Sequence, residues 1–126
     1  MGDTLRFPAE WESQSAVIIA WPHAGTDWAE RLADVETTYV ALVAAISRFQ
    51  PVLACVADAS LRERATTLLS AAGVDMARVH FHEIEYDDTW LRDSGPITLA
   101  SDDGFRLLDF RFTAWGGKFE AGLDDQ

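Results

Sequence analysis

The chain has a single cysteine, four prolines and only 10 lysines and arginines against 21 aspartates and glutamates in 126 residues. One cysteine cannot form an internal disulfide, which fits a reducing compartment. Its neighbours, Gln50-Pro51-Val52-Leu53-Ala54-Cys55-Val56-Ala57, are almost all apolar. Such surroundings raise a thiol's pKa and leave it inert, so Cys55 is expected in the core rather than as a nucleophile. The shortage of cations gives a formal net charge of -11. A surface that negative repels phosphate backbones and anionic lipid, so neither nucleic acid nor membrane is expected as a partner, while small amines and guanidines are drawn in. No stretch approaches the roughly 18 consecutive apolar residues of a membrane span. Met1-Gly2-Asp3-Thr4 lacks the basic-then-apolar layout of a secretory signal, and Arg6 breaks the myristoylation pattern that Met1-Gly2 begins. A cytoplasmic protein is expected.

What is present is enough for one compact domain, with 48% hydrophobic residues and no linker or low-complexity tract. Strand and helix signals alternate. Residues 15–21 are a short apolar run ended by Pro22, as in a buried strand. Asp27 followed by Glu30 predicts a capping box opening a helix. Along that helix Trp28, Leu32, Val35, Tyr39, Leu42, Val43, Ile46 and Phe49 recur at three- and four-residue steps, forming one apolar face. Residues 52–57 predict a second strand. Asp58 or Ser60 caps a second helix carrying Leu61, Ala65, Leu68, Leu69 and Ala72, with Gly73 as its stop. Val79, Phe81 and Ile84 mark a third strand. Residues 97–100 and 105–112 flank Ser101-Asp102-Asp103-Gly104, whose Asp-Gly pair signals a hairpin. The expected order is strand-helix-strand-helix-strand followed by a hairpin, in an α/β fold.

The densest chemistry lies in Asp88-Thr89-Trp90-Leu91-Arg92-Asp93-Ser94-Gly95-Pro96. An aromatic face beside two carboxylates suits a flat cation. A guanidinium is planar and permanently charged, is held best by carboxylates in a forked geometry, and can be covered by an indole through cation–π attraction. Read alone, Trp90 could be a core aromatic and Arg92-Asp93 a surface ion pair. Taken with Phe7-Pro8-Ala9-Glu10-Trp11-Glu12 and Trp115-Gly116-Gly117-Lys118-Phe119, the stretch resembles the agmatine deiminases, relatives of the bacterial-type peptidylarginine deiminases.

The resemblance runs from Phe7 to about Lys118 and implies a pentein fold, five strand-and-helix modules arranged as a propeller around a central axis. It covers only the leading portion of a family member, so residues 1–126 are expected to be a single incomplete pentein domain, roughly the first third. It implies that Trp90 and Asp93 hold the substrate guanidinium, and that Asp88, Arg92 and Gly95 shape their loop. Trp115, Gly116, Gly117 and Lys118 would lie near the site mouth. No cofactor is implied. The implied reaction begins with thiolate attack on the guanidinium carbon, with a histidine moving protons and carboxylates stabilising charge. The family's cysteine, histidine and further carboxylate have no counterpart here, so the chain alone is expected to be inactive.

Other residues invite sharper readings with weaker support. His80 and His82 share a strand face near Glu83, Asp87 and Asp88, but no third metal ligand stands in register, and alternating polar residues usually mark a solvent face. His23 follows the first strand and reads as a loop histidine rather than a substrate contact. Gly116-Gly117-Lys118 lacks the spaced glycines and terminal hydroxyl residue of a phosphate loop. Three functions stay open: part of a hydrolase acting on agmatine or peptidyl-arginine, a non-catalytic guanidine or polyamine binder, and an α/β interaction module. Self-association through exposed strand edges is also expected.

Overall fold

Residues 4–126 are described by a computed structural model. The apolar runs form three parallel strands, β1 (Val17–Ala20), β2 (Val52–Val56) and β3 (Val79–Glu83), ordered β1-β2-β3. Val17 pairs with Val52, and Val52 with Val79, so side chains of like parity share a face. Two helices cross over between the strands, α1 (Leu32–Ser47) and α2 (Ala59–Ala71). Ile19, Val52, Ala54, Val56 and Val79 pack with Trp21, with Val43 of α1 and with Ala65 and Leu69 of α2 as the main core. The opposite face is only partly covered. Ala20 and Cys55 lie buried there under Tyr86, with Ile84 and Leu91 alongside, whereas Ile18 is 51% exposed and His80 and His82 are exposed. The first strand is therefore buried on one face rather than both.

Local chemistry sets the ends of α2. Asp58 is its N-cap, the carboxylate accepting the Leu61 N–H at 2.8 Å. Gly73 at φ 77° provides the left-handed stop that a side chain would resist. The start of α1 departs from expectation. Asp27 caps nothing; a short 3-10 turn, Ala29–Arg31, precedes α1, and neither helix has a side-chain cap. Trp28 consequently sits in the loop instead of on the apolar face, and Phe49 at the far end is 78% exposed.

Glu36 is a buried acid on α1 that sequence periodicity does not reveal. It accepts the Trp21 indole N–H at 3.1 Å and is gripped by Arg64 of α2 at 2.7–2.9 Å. Burial pushes its carboxyl upward, but the hydrogen bonds from Arg64 and Trp21 outweigh that and hold it below its ordinary value. The expected hairpin is β4 (Ile97–Ser101) with β5 (Gly104–Leu108), Ser101 facing Gly104 across a two-residue loop. The second strand ends at Leu108 rather than running to residue 112. Arg6 pairs with Ala100 on the free edge of β4. Among the described residues no helix is long and apolar enough to cross a membrane.

Candidate functional site

In a parallel sheet the loops leaving the carboxyl ends of the strands converge on one rim, where ligands are usually held. Here the loop after β1 (residues 21–28) meets the loop after β3 (residues 84–90). The Asp27 N–H donates to Asp88 Oδ2 at 3.0 Å, and the Trp28 indole N–H donates to Thr89 Oγ1 at 2.9 Å. The Trp90 indole N–H donates back to Asp27 Oδ2 at 3.2 Å. The Trp28 and Trp90 rings lie 5.6 Å apart, tilted by 42°. Two loops about 60 residues apart in sequence are thus joined by three reciprocal hydrogen bonds and an aromatic pair.

Within the loop after β3, the Asp88 carboxylate is occupied by the protein itself. Besides the Asp27 N–H, it accepts the Thr89 N–H at 2.7 Å and the Thr89 hydroxyl at 3.3 Å. A short helix, α3 (Leu91–Ser94), follows. The Asp93 N–H donates to the Trp90 carbonyl at 3.0 Å, which sets Asp93 one turn from the indole. The Asp93 carboxylate is exposed and, among the described residues, takes no hydrogen bond or ion pair from the protein. Arg92 is likewise exposed and has no carboxylate partner among the described residues, so the surface pair Arg92–Asp93 does not form. Gly95 closes the turn with its N–H on the Leu91 carbonyl at 2.7 Å. A Cβ at Gly95 would stand 2.7 Å from that same oxygen, so the close approach requires glycine.

Trp115, Gly116, Gly117 and Lys118 occupy a different structure. Ala114–Gly117 makes a left-handed turn, with positive φ at Ala114 (52°), Trp115 (56°), Gly116 (86°) and Gly117 (80°). For Ala114 and Trp115 this geometry costs about 1–2 kcal/mol each, whereas the paired glycines adopt it freely. The Trp115 ring packs edge-on against Phe112 and Phe119 at 5.3 and 5.9 Å. Among the described residues neither a hydrogen bond nor a ring contact joins this turn to Trp90 or Asp93. The link is the tail: Asp124 Oδ1 accepts the N–H groups of Asp87 (2.7 Å) and Asp88 (3.2 Å), while the Asp125 carboxylate accepts the Phe112 N–H. Partial burial pushes the Asp124 carboxyl up, the two N–H groups oppose this, and the charges of Asp87 and Asp88 add to the rise.

Cys55 is buried and its thiol is pushed up by burial, as an inert core cysteine should be. His23 packs its ring 5.1 Å from Tyr86. Its Nδ1 accepts the Gly25 N–H at 3.0 Å, and its Nε2 is buried without a partner among the described residues. His80 and His82 lie on the open sheet face, and no group of three or more His, Cys, Asp or Glu among the described residues is arranged to hold a metal.

Sequence reasoning missed Asp27, Trp28 and Asp124 as parts of this constellation. Asp27 and Trp28 satisfied a local helix-start pattern, so nothing nearby signalled their partners beyond residue 87.

The sequence pattern of the Porphyromonas-type peptidyl-arginine deiminase family matches residues 6–126. The agmatine deiminase of Stutzerimonas stutzeri is 36% identical over 122 residues, which are 96% of this chain and 31% of that protein. The agmatine deiminase of Pseudomonas aeruginosa is 38% identical, with the same coverage. Among solved structures, C. jejuni agmatine deiminase with a cysteine-to-serine substitution and substrate bound aligns with a TM-score of 0.85. That match is 31% identical and covers 98% of this chain and 35% of the other. The chain thus spans about a third of the length of the relatives it matches.

Proposed function

The chain belongs to the Porphyromonas-type peptidyl-arginine deiminase family, and we propose that it forms the guanidinium-gripping part of a cytoplasmic agmatine deiminase. On this reading residues 1–126 are roughly the first third of a pentein domain, with the three-stranded sheet and its outer helices as one module of the propeller. The observation that carries the reading is Asp93, whose carboxylate takes no partner among the described residues and which lies one turn from Trp90, whose indole is oriented by Asp27 and flanked by Trp28. A guanidinium beside Trp90 finds a π face for its plane and a carboxylate for its edge. Asp88, Arg92 and Gly95 set the loop, and the Trp115–Lys118 turn borders the mouth.

The nucleophile lies elsewhere. Cys55 faces the protein interior with its thiol pushed up, so it does not supply the thiolate. A cysteine outside these residues attacks the guanidinium carbon, and ammonia leaves carrying a proton delivered by a histidine also outside them. Water then cleaves the amidino-thioether, giving N-carbamoylputrescine and restoring the thiol. The role of this chain is to fix the cation and stabilise positive charge by preorganised carboxylates. The acidic surroundings of Asp27, Asp87, Asp88 and Asp93 favour a substrate with two positive charges. Agmatine has two; peptidyl-arginine has one at the side chain.

The test is ammonia release by the native protein that carries these residues, with agmatine and an arginine-containing peptide as alternative substrates. Turnover of agmatine, with kcat/KM reduced roughly 100-fold or more in Asp93→Asn, is the expected outcome. Preference for the peptide would reassign the substrate to peptidyl-arginine. Saturable agmatine binding without ammonia would identify a guanidine-binding module instead.

A further inference from the structure

Tyr86 does work that neither the sequence pattern nor the substrate reading assigns. It leaves β3 three residues after Glu83 and turns back over the sheet, where it is buried against Ala20 and Cys55. Its hydroxyl lies 2.6 Å from the Trp21 carbonyl and 3.2 Å from the Cys55 carbonyl. A phenol has one proton, and the Cys55 carbonyl already accepts the Trp21 N–H at 2.9 Å. The shorter contact is therefore the donated bond, and Tyr86 serves the Trp21 carbonyl. That carbonyl belongs to a fully buried residue beyond the last β1 pair, and the next residue, Pro22, has no N–H to donate to a neighbouring strand.

The position of this bond gives it consequence. Trp21 begins the loop that carries Asp27 and Trp28; Tyr86 stands two residues before Asp88 and four before Trp90. The two loops are joined at their roots by the Tyr86 hydroxyl and the His23–Tyr86 ring contact. At their tips they are joined by Asp27, Trp28, Asp88, Thr89 and Trp90. Burial raises the phenol pKa well above its ordinary value, so the hydroxyl remains a donor throughout the range where proteins are folded.

We propose that Tyr86 is a positioning residue: by donating to the Trp21 carbonyl it fixes the spacing of the two loops and so the orientation of Trp90 and Asp93. It touches no substrate. The catalytic consequence rests on the guanidinium reading of those loops, but the structural one does not, and the experiment separates them.

The five tryptophans can be labelled with 5-fluorotryptophan and assigned in fluorine NMR by single Trp→Phe replacements. In folded Tyr86→Phe, the Trp28 and Trp90 resonances should shift or broaden, while Trp115 stays in place. Val43→Ala, a core truncation on α1, lowers stability while keeping every hydrogen bond between the two loops, and should leave both resonances unmoved. In the native enzyme, Tyr86→Phe should raise the agmatine KM about tenfold while kcat changes on the order of two- to threefold. Unmoved Trp28 and Trp90 resonances in folded Tyr86→Phe would overturn the proposal, as would an equal response to Val43→Ala. The wild-type protein offers a check that depends on no variant: the Tyr86 hydroxyl proton should exchange slowly with water, and fast exchange would also overturn it. Displaced resonances in a protein that hydrolyses no guanidine would uphold the role of Tyr86 and remove only the substrate assignment.

Discussion

The Asp27 carboxylate accepts the indole N–H of Trp90 across 63 positions of sequence, at 3.2 Å. An aspartate placed to open a helix serves instead to aim an aromatic ring. Removing it as Asp27→Ala frees that ring. A surface hydrogen bond of this kind contributes about 0.5–1.5 kcal/mol, so on the proposed guanidinium reading the agmatine KM of the native protein should rise up to about tenfold with little change in thermal midpoint. Asp27→Asn keeps an acceptor oxygen and should behave nearly as the parent. Steady-state kinetics of the native enzyme decide it: equal KM values for the parent and Asp27→Ala would show that Trp90 needs no such support.

Gly95→Ala tests a steric constraint rather than a conformational one. Gly95 has φ -71°, open to any residue, but its Cβ would meet the Leu91 carbonyl oxygen at 2.7 Å. That oxygen is backbone and cannot swing aside, so α3 must open. The cost should be about 1–3 kcal/mol, read as a lower urea midpoint at constant m-value. An unchanged midpoint would mean the turn between Leu91 and Gly95 has slack.

Local signals in this chain were legible wherever a short stretch settles its own structure. The apolar runs of β1 and β2, the Asp58 cap, the Gly73 stop and the Asp-Gly hairpin are such cases. The nine-residue motif stood out through its likeness, together with the two other blocks, to a known family; read alone, it equally allowed a core aromatic at Trp90 and a surface ion pair at Arg92-Asp93. The errors arose where a distant partner outbid a local one. Asp27 and Glu30 satisfy the capping-box spacing, yet Asp27 binds Asp88 and Trp90. Trp28 fits the helical period, yet it packs on Trp90. Glu36 reads as one more polar position on an amphipathic helix, and only the packing of α1 on α2 reveals it as a buried acceptor for Trp21 and Arg64.

Two carboxyls make stability depend on pH in opposite senses. The folded-state value of Glu36 is depressed by its Arg64 and Trp21 hydrogen bonds, which prevail over burial. Its contribution is therefore complete above its ordinary value of 4.5 and is lost as pH falls through the folded value. Asp124 is raised, by burial first and then by the charges of Asp87 and Asp88. Its contribution is complete below its ordinary value of 3.8 and is lost as pH rises through the folded value. Glu36→Gln should flatten the acid limb of a plot of urea midpoint against pH. Asp124→Asn keeps an acceptor for the Asp87 and Asp88 N–H groups without the charge, so it should raise the midpoint at neutral pH and lose that advantage in acid. A lower midpoint for Asp124→Asn at neutral pH would mean that the ionised carboxylate strengthens those hydrogen bonds more than its neighbours oppose it.

The strand edges give the last prediction. Among the described residues β1 and β3 each present an unpaired edge, β5 has no neighbour beyond β4, and Arg6 pairs only Ala100 on the other side of the hairpin. On β5, Phe105 and Leu107 share one face and are 74% and 62% exposed. Free edges beside exposed apolar side chains favour pairing with another chain, while charge on such a surface opposes it. The 126-residue chain should therefore sediment as a concentration-dependent mixture of monomer and dimer. Phe105→Lys with Leu107→Lys should restore the monomer without altering the circular dichroism of the α/β core, because neither side chain belongs to that core. If the parent remains monodisperse at high concentration, the net charge of -11 is sufficient to keep copies apart and the exposed hairpin face does not drive association.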